Sequence, residues 1–337
     1  KLMDYILSIL HIYSKFGPTS RSLVKSILRL ITGKCELERI CEMKFNGEVI
    51  YGYKQCCEVE NSLYCSKNDA IRKILVSDKM KTKTAMETIM RVKRIIPEKN
   101  ETFVKSMPYL LCKIISYNAL LNEVDLIRSI QYDETNEEHE DSLKKLWCLI
   151  KKDDELMERH TSRWSEIGFQ GTNPATDFRG MGILGLKNMI YLLENKEKIG
   201  MKIYGQSNHP QYGFSFAIMA INFTSTCFDL LRSGRLKGYI YNLQEVDYSL
   251  ESFQLFFTEI FEEFSDYWVM RQPPNIMSFS EIKKDYMIES SALNLDSSIS
   301  LQNSFGSQSL PLIIKPQDKF DWHWINLDSH VFSATFG

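Results

Sequence analysis

Residues 164–186 read WSEIGFQGTNPATDFRGMGILGL. Inside this run, Gly180-x-Gly182-x-x-Gly185 has the spacing of a dinucleotide fingerprint, which would require a strand immediately before the first glycine and so an α/β fold. What precedes it is Asn173-Pro174-Ala175-Thr176-Asp177, a turn and helix-cap sequence. The strand requirement fails. A kinase-type glycine loop fails too, since neither a hairpin nor a later HRD or DFG sequence accompanies it. The same residues read well as the start of a helix. Thr176 or Asp177 caps it, and Phe178, Met181, Ile183, Leu184, Leu186, Met189 and Ile190 surround much of a run from about 178 to 193, which is therefore expected to be buried. The stretch points to an all-α fold.

Glycine inside a helix costs about 1 kcal/mol relative to alanine. Three glycines in this short run imply that another backbone approaches closely. Arg179 is conspicuous beside them, because a cation in a first helical turn meets the positive end of the macrodipole at a cost of roughly 0.3–1 kcal/mol. Something must compensate. One answer is an ion pair or hydrogen bonds to Asp177, Glu166 or loop carbonyls. The other is an outward reach toward a phosphate, a group that the helix N-terminus would itself favour.

Helical periodicity continues on both sides of the motif. Apolar residues recur at three- and four-residue spacing over 69–76, 84–96, 102–121, 122–129, 137–151 and 155–167. After the motif, Asn208-His209-Pro210 predicts a helix start with Pro210 in its first turn and His209 as a cap or surface residue. The run from Phe214 to Leu231 is apolar nearly all round, as expected of a central buried helix, and 250–268 and 279–288 complete the set. Residues 36–68 are less regular, with Asn46-Gly47, Gly52 and Asn61 as turn signals. The organisation expected is an amphipathic helical flank over 1–33, a helical core over 34–289 and an irregular tail over 290–337. Eight serines fall within 290–309, a linker-like composition.

The chain has 337 residues, 44% hydrophobic and 25% charged, which excludes collagen-like, coiled-coil and wholly disordered classes. Its 41 Lys and Arg against 43 Asp and Glu argue against a dedicated nucleic-acid binder. Eight cysteines without a CxxC pair and six histidines without zinc spacing predict reduced, packing thiols in a cytoplasmic protein and no metal centre. Residues 2–13 are apolar but too short to span a bilayer, and no basic n-region marks a secretory signal. Between 5 and 35 there are five basic residues and no acidic one, which suits either an anionic membrane surface or a solvated helix face. A basic stretch over 67–99 and an acidic one over 133–141 read either as solvated faces or as surfaces that steer a charged partner.

The run WxxxGFQGxxPxTDFRGMGxLGL, followed by Tyr191 and Ser207-Asn208-His209-Pro210, resembles the signature of the ELMO domain. It is closest to that of the ELMOD proteins, GTPase-activating proteins for Arf-family, notably Arf-like, small GTPases. The resemblance extends from about residue 20 to about 290, through Gly33-Lys34-Cys35-Glu36-Leu37, Trp147 and Tyr267-Trp268. It departs at Asn173, where the family often has Asp, and at Leu192 or Leu193, where it often has an aromatic. The resemblance implies a single large helical domain and a catalytic arginine, supplied in trans, that falls on Arg179. Trp164, Gly168, Phe169, Gln170, Pro174, Asp177, Gly180, Gly182 and Gly185 are its supporting motif: Asp177 orients the arginine, Pro174 and Gly180 shape its loop, Trp164 anchors the preceding helix, and Gln170 either hydrogen-bonds the loop, the role favoured here, or aids the attacking water. It further implies no cofactor of the chain's own, with Mg²⁺ and GTP belonging to an Arf-family or Arf-like partner, while peripheral membrane contact is expected only from the apolar and basic N-terminal residues. The alternative is a non-catalytic GTPase effector or scaffold, as in the larger ELMO proteins, which are not expected to keep the arginine.

Overall fold

The computed structural model describes residues 18–45, 48–49, 52–77, 80–152, 154, 156 and 158–290, with backbone alone for 18–21, 44–45, 48–49 and 179. The apolar segment 2–13 and all but the first residue of the tail over 290–337 lie outside the described residues. The described residues fall into two compact units, one drawn from 18–116 and 241–246, the other from 117–240 and 247–290.

In the first unit, α1 (Pro18–Thr32) stops at Gly33, whose left-handed φ of 68° lets its N–H reach back to the Arg29 carbonyl. Val24 and Leu28 are buried on one side, while Leu23, Leu30 and Ile31 stay exposed at 63%, 88% and 42%. The helix thus has an unburied apolar face. Next come α2 (Glu36–Cys41) and the two-residue strands β1 (Lys44–Phe45) and β2 (Glu48–Val49), paired antiparallel on either side of Asn46-Gly47. They are the only strands among the described residues. α3 (Tyr53–Tyr64) packs on α2, and α4 (Asp69–Val76) packs between α3 and α5 (Thr82–Lys93). The bounds of α4 are those read from periodicity, and Asn68 caps it by accepting from the Ala70 and Ile71 N–H groups.

The break expected at Asn122 does not occur. One helix, α6 (Glu101–Ser129), runs through it, because Tyr117, Leu120 and Val124 continue a single buried stripe. Its residues up to Ser116 are counted with the first unit. There Lys113 is fully buried, and its Nζ donates to the carbonyls of Tyr241 at 2.9 Å and Leu243 at 2.6 Å. Burial pushes its ammonium down to about 8. Cys35, Cys41, Cys56 and Cys227 are buried as small apolar packers, in line with the sequence reading, whereas Cys65 and Cys148 are exposed.

The second unit adds α7 (Glu137–Lys151), α8 (Gly182–Asn195), α9 (Glu197–Ser207), α10 (Phe216–Arg232), α11 (Lys237–Ile240), α12 (Leu250–Arg271) and α13 (Phe279–Glu289). α8 sits in the middle, against α7, α9, α10 and α12. α10 is buried almost all round, as its composition predicts, and Phe223 on it stacks on Phe261 at 5.6 Å and meets Phe264 at 4.5 Å. The helix start expected at 208–210 is absent. His209 Nδ1 instead accepts from the Gln211 and Tyr212 N–H groups, and the Trp268 indole donates to the Tyr212 carbonyl at 2.7 Å, so the backbone turns rather than coils. His209 is a local cap. Among the described residues no helix is long and apolar enough to cross a membrane.

Candidate functional site

The motif is carried by two short 3₁₀ segments rather than by regular helix. The helix expected over 155–167 is replaced at its C-terminal end by a 3₁₀ segment over Ser162–Ile167, which Thr161 caps through Arg163 N–H. It ends at Gly168, where φ is +86°. Trp164 is buried in it, donating its indole N–H to the Arg159 carbonyl at 2.8 Å. From there an aromatic row runs through the unit. Trp164 meets Trp147 edge-on at 5.4 Å and Phe169 at 5.9 Å, Phe169 meets Phe178 at 5.5 Å, and Phe178 stacks on Tyr132 at 5.3 Å. Such pairs contribute about 0.5–1.5 kcal/mol each beyond area burial. The row ties the motif to α7.

The second 3₁₀ segment, Pro174–Gly180, holds Arg179. Asn173, not Thr176 or Asp177, caps it, accepting from Ala175 N–H at 3.0 Å, with Pro174 at the first position. Asp177 is used differently. Its Oδ2 accepts the backbone N–H of Gln170 at 2.8 Å, which closes the loop between the two segments, and Gln170 itself is exposed. Pro174 and Phe178 are buried and so fix the inner side of the segment.

The start of the following helix is corrected as well. α8 begins at Gly182, not at Phe178, so Arg179 precedes the helix and escapes the first-turn dipole penalty. The reason is tertiary. Gly182 has φ +50°, and a Cβ there would stand 2.2 Å from the Ile130 carbonyl oxygen and 2.5 Å from that of Arg128. With no side chain in the way, Ile183 N–H donates to the Ile130 oxygen at 2.9 Å. The carbonyl end of α6 therefore occupies the N-terminus of α8, which has no capping side chain of its own. A phosphate is not needed there, and the expectation that this helix end favours one falls.

Gly168 makes the matching contact at α10. A Cβ at Gly168 would lie 2.2 Å from Phe216 N, and the Gly168 carbonyl accepts from Ile218 N–H at 3.2 Å. α10 also lacks a capping side chain. Gly185 is held more loosely, with Ile221 Cγ1 3.3 Å from where its Cβ would be. Gly180 differs from all of these. It is exposed, its φ lies outside the left-handed region, and beyond its chain neighbours no described residue has an atom within 4 Å of the missing Cβ.

Of the internal partners considered for Arg179, Glu166 is engaged by Arg163 at 3.0 Å and Lys151 at 2.9 Å, and these hydrogen bonds hold its carboxyl below the usual range. The direction of the Arg179 side chain lies outside the described residues. The sequence reading missed a second arginine. Arg159 donates from Nε to both oxygens of Glu140, at 2.8 and 2.7 Å, and Glu140 also accepts from the Tyr132 hydroxyl at 2.7 Å. Burial opposes the Arg159 charge, but the hydrogen bonds and charge of Glu140 outweigh it and raise its pKa. Burial and Glu140 together push the Tyr132 phenol above its ordinary range. Both Arg159 Nη atoms are buried without a hydrogen-bond partner among the described residues. Part of the acidic stretch read as a solvated face or steering patch is thus internal, and no periodicity marks it.

Comparison with known proteins converges on one family. Its profile, that of the ELMO/CED-12 family, matches residues 122–283. Human ELMO domain-containing protein 2 is 37% identical over 286 residues, covering 85% of this chain and 96% of its own. Mouse ELMO domain-containing protein 1 is 34% identical over 284 residues, 78% of this chain and 84% of its own. ELMO domain-containing protein B of Dictyostelium discoideum is 31% identical over 271 residues, 78% and 90% of the two chains. With an all-helical fold and a motif that packs as one unit, the chain belongs to the ELMO/CED-12 family.

Proposed function

We propose that this chain is a GTPase-activating protein for an Arf-family or Arf-like small GTPase, and that Arg179 is the arginine it supplies in trans. The observation that carries the reading is the setting of Arg179-Gly180. The pair lies on a short segment whose inner side is fixed by Pro174 and Phe178, while the Cβ that Gly180 lacks would meet no described residue beyond its chain neighbours. A glycine whose missing Cβ meets no described residue beyond its chain neighbours suits the close approach of another backbone.

The chemistry follows from the charge that builds on nucleotide oxygens during phosphoryl transfer to water. The GTPase supplies Mg²⁺, the phosphate loop and the water-orienting residue, and an arginine from a partner adds about 10³ to 10⁵ in rate. A guanidinium bridges two oxygens at once, so lysine is a poor substitute. Asp177 acts by holding the loop through Gln170 N–H, and Trp164, Phe169 and Phe178 act by anchoring it.

Single-turnover GTP hydrolysis by a panel of Arf-family GTPases tests this. Wild type accelerates at least one of them, and Arg179→Ala loses about 10³ of that acceleration with its binding retained. Equal stimulation by the folded Arg179→Ala variant, or none by wild type, leaves the effector or scaffold reading in its place. The proposal extends to peripheral membrane contact through α1, whose exposed Leu23, Leu30 and Ile31 share the helix with the basic residues Lys25 and Arg29. Flotation on anionic vesicles drops when residues 1–33 are removed; unchanged flotation takes α1 out of the account.

A further inference from the structure

The last two turns of α10, the residues that follow it and α13 enclose an open cleft of about 590 Å³ that the motif does not use. Three cations line it: Arg232, Arg235 and Lys283. Asp229 is the one acidic residue in the lining, and Arg232 already engages it at 3.2 Å. Neither Arg235 nor Lys283 has an ion pair or hydrogen bond to any described residue. Arg235 is exposed, but Lys283 is half-buried: the ring faces of Phe223 at 5.9 Å and Phe279 at 5.8 Å lie by its Nζ, and Asp229 acts on it through charge alone, without a hydrogen bond. Burial lowers its pKa accordingly. Cations gathered in a cleft and short of counter-charge are costly until an anion arrives.

We propose that this cleft binds a phosphate monoester carried on a larger organic headgroup. The lining holds two positive charges beyond what Asp229 neutralises, which matches the charge of about −1.5 to −2 on a phosphate monoester near pH 7. Two guanidinium groups offer the paired donors that phosphate oxygens accept, and the ammonium adds a point charge. Ser233 contributes a hydroxyl at the rim, while Leu230 and Met287 form an apolar wall suited to the carbon skeleton of the ligand. The cleft is much larger than a bare phosphate. It begins at Thr226, ten residues along α10 from the end that Gly168 caps, or about 15 Å at the helical rise. The inference stands on these residues alone and does not depend on the role proposed for Arg179.

The chemistry is shared by a lipid headgroup and a diffusible phosphoester, so the test has two arms. The full chain is titrated with inositol trisphosphate in a calorimeter, and floated with phosphatidylcholine vesicles with and without phosphatidylinositol phosphate. Wild type binds at least one probe, and Arg235→Ala with Lys283→Gln weakens that binding about tenfold or more. Lys284→Gln, an exposed charge on α13 outside the cleft, leaves it unchanged. Binding of the soluble probe identifies a diffusible ligand, and cleft-dependent binding to vesicles alone identifies a lipid. Should the double variant fail to fold, Arg235→Glu at the exposed position repeats the test with a larger loss expected. Absence of binding to both probes, or equal weakening by Lys284→Gln, overturns the proposal. Activation of a GTPase is not a readout here, so either proposal can fail without the other.

Discussion

Gly168 and Gly182 bracket the segment that carries Arg179, and Gly180 lies inside it; the three glycines obey different constraints. At the two outer positions a backbone atom of another element stands 2.2 Å from where a Cβ would be, and φ is left-handed at both. At Gly180 no described residue beyond its chain neighbours comes within 4 Å. The outer glycines exist for the protein's own packing: one offers its carbonyl to the start of α10, and the other admits a carbonyl to the start of α8. Among the described residues Gly180 has no such internal reason. A segment pinned at its ends and open at its centre is how a fold presents one side chain to a partner without letting it wander.

Substitutions that ignore this difference separate the two kinds of glycine. Gly182→Ala forces a positive φ on alanine and drives its Cβ into the Ile130 and Arg128 carbonyls, with loss of the Ile183 hydrogen bond. The expected cost is about 4 kcal/mol or more, read as a fall in the denaturant midpoint. Gly168→Ala behaves alike against Phe216. A melting curve matching wild type at either position would remove the distinction between pinned ends and open centre.

The next effect concerns the inner support. Glu140→Gln leaves the Arg159 guanidinium, whose Nη atoms already lack partners, without its carboxylate. A loss of about 2 kcal/mol is expected, below that of a wholly buried pair because both side chains keep some solvent contact. Replacing the pair together, Arg159→Met with Glu140→Leu, should recover much of it. If the double change is no better than the single one, the cost lies in lost packing and not in the stranded charge.

The smallest effect on stability is the most informative about function. Gly180→Ala should change folding free energy by under about 0.5 kcal/mol, since its site is open and its φ ordinary. Under the GTPase-activating role proposed above it should nevertheless reduce acceleration in the hydrolysis assay, because an added methyl group would meet the docking GTPase. Full activity in Gly180→Ala would mean that the partner keeps its distance at this position, and the open centre would lose its functional meaning.

Much of the architecture is legible locally. The bounds of α4 and α7, the burial of α10 and the end of α1 at Gly33 follow from apolar spacing and end signals within a few residues. The misreadings share one cause. The helix expected from Phe178 starts at Gly182 because the Ile130 carbonyl caps it there. The helix expected at Asn208 does not form because His209 and Trp268 claim the backbone of the turn. The Arg159–Glu140–Tyr132 cluster was invisible because its members come from three separate segments.

By itself, then, the sequence determined the helical class, the motif and the presence of an arginine at 179, since these are properties of composition and of neighbours three or four residues apart. Where the helix beside that arginine begins, which glycines are locked, and which acidic residue is buried were decided only by tertiary structure. The physical reason is that a helix terminus accepts any donor or acceptor that satisfies it, and in this protein those groups are carbonyls from elements remote in the chain.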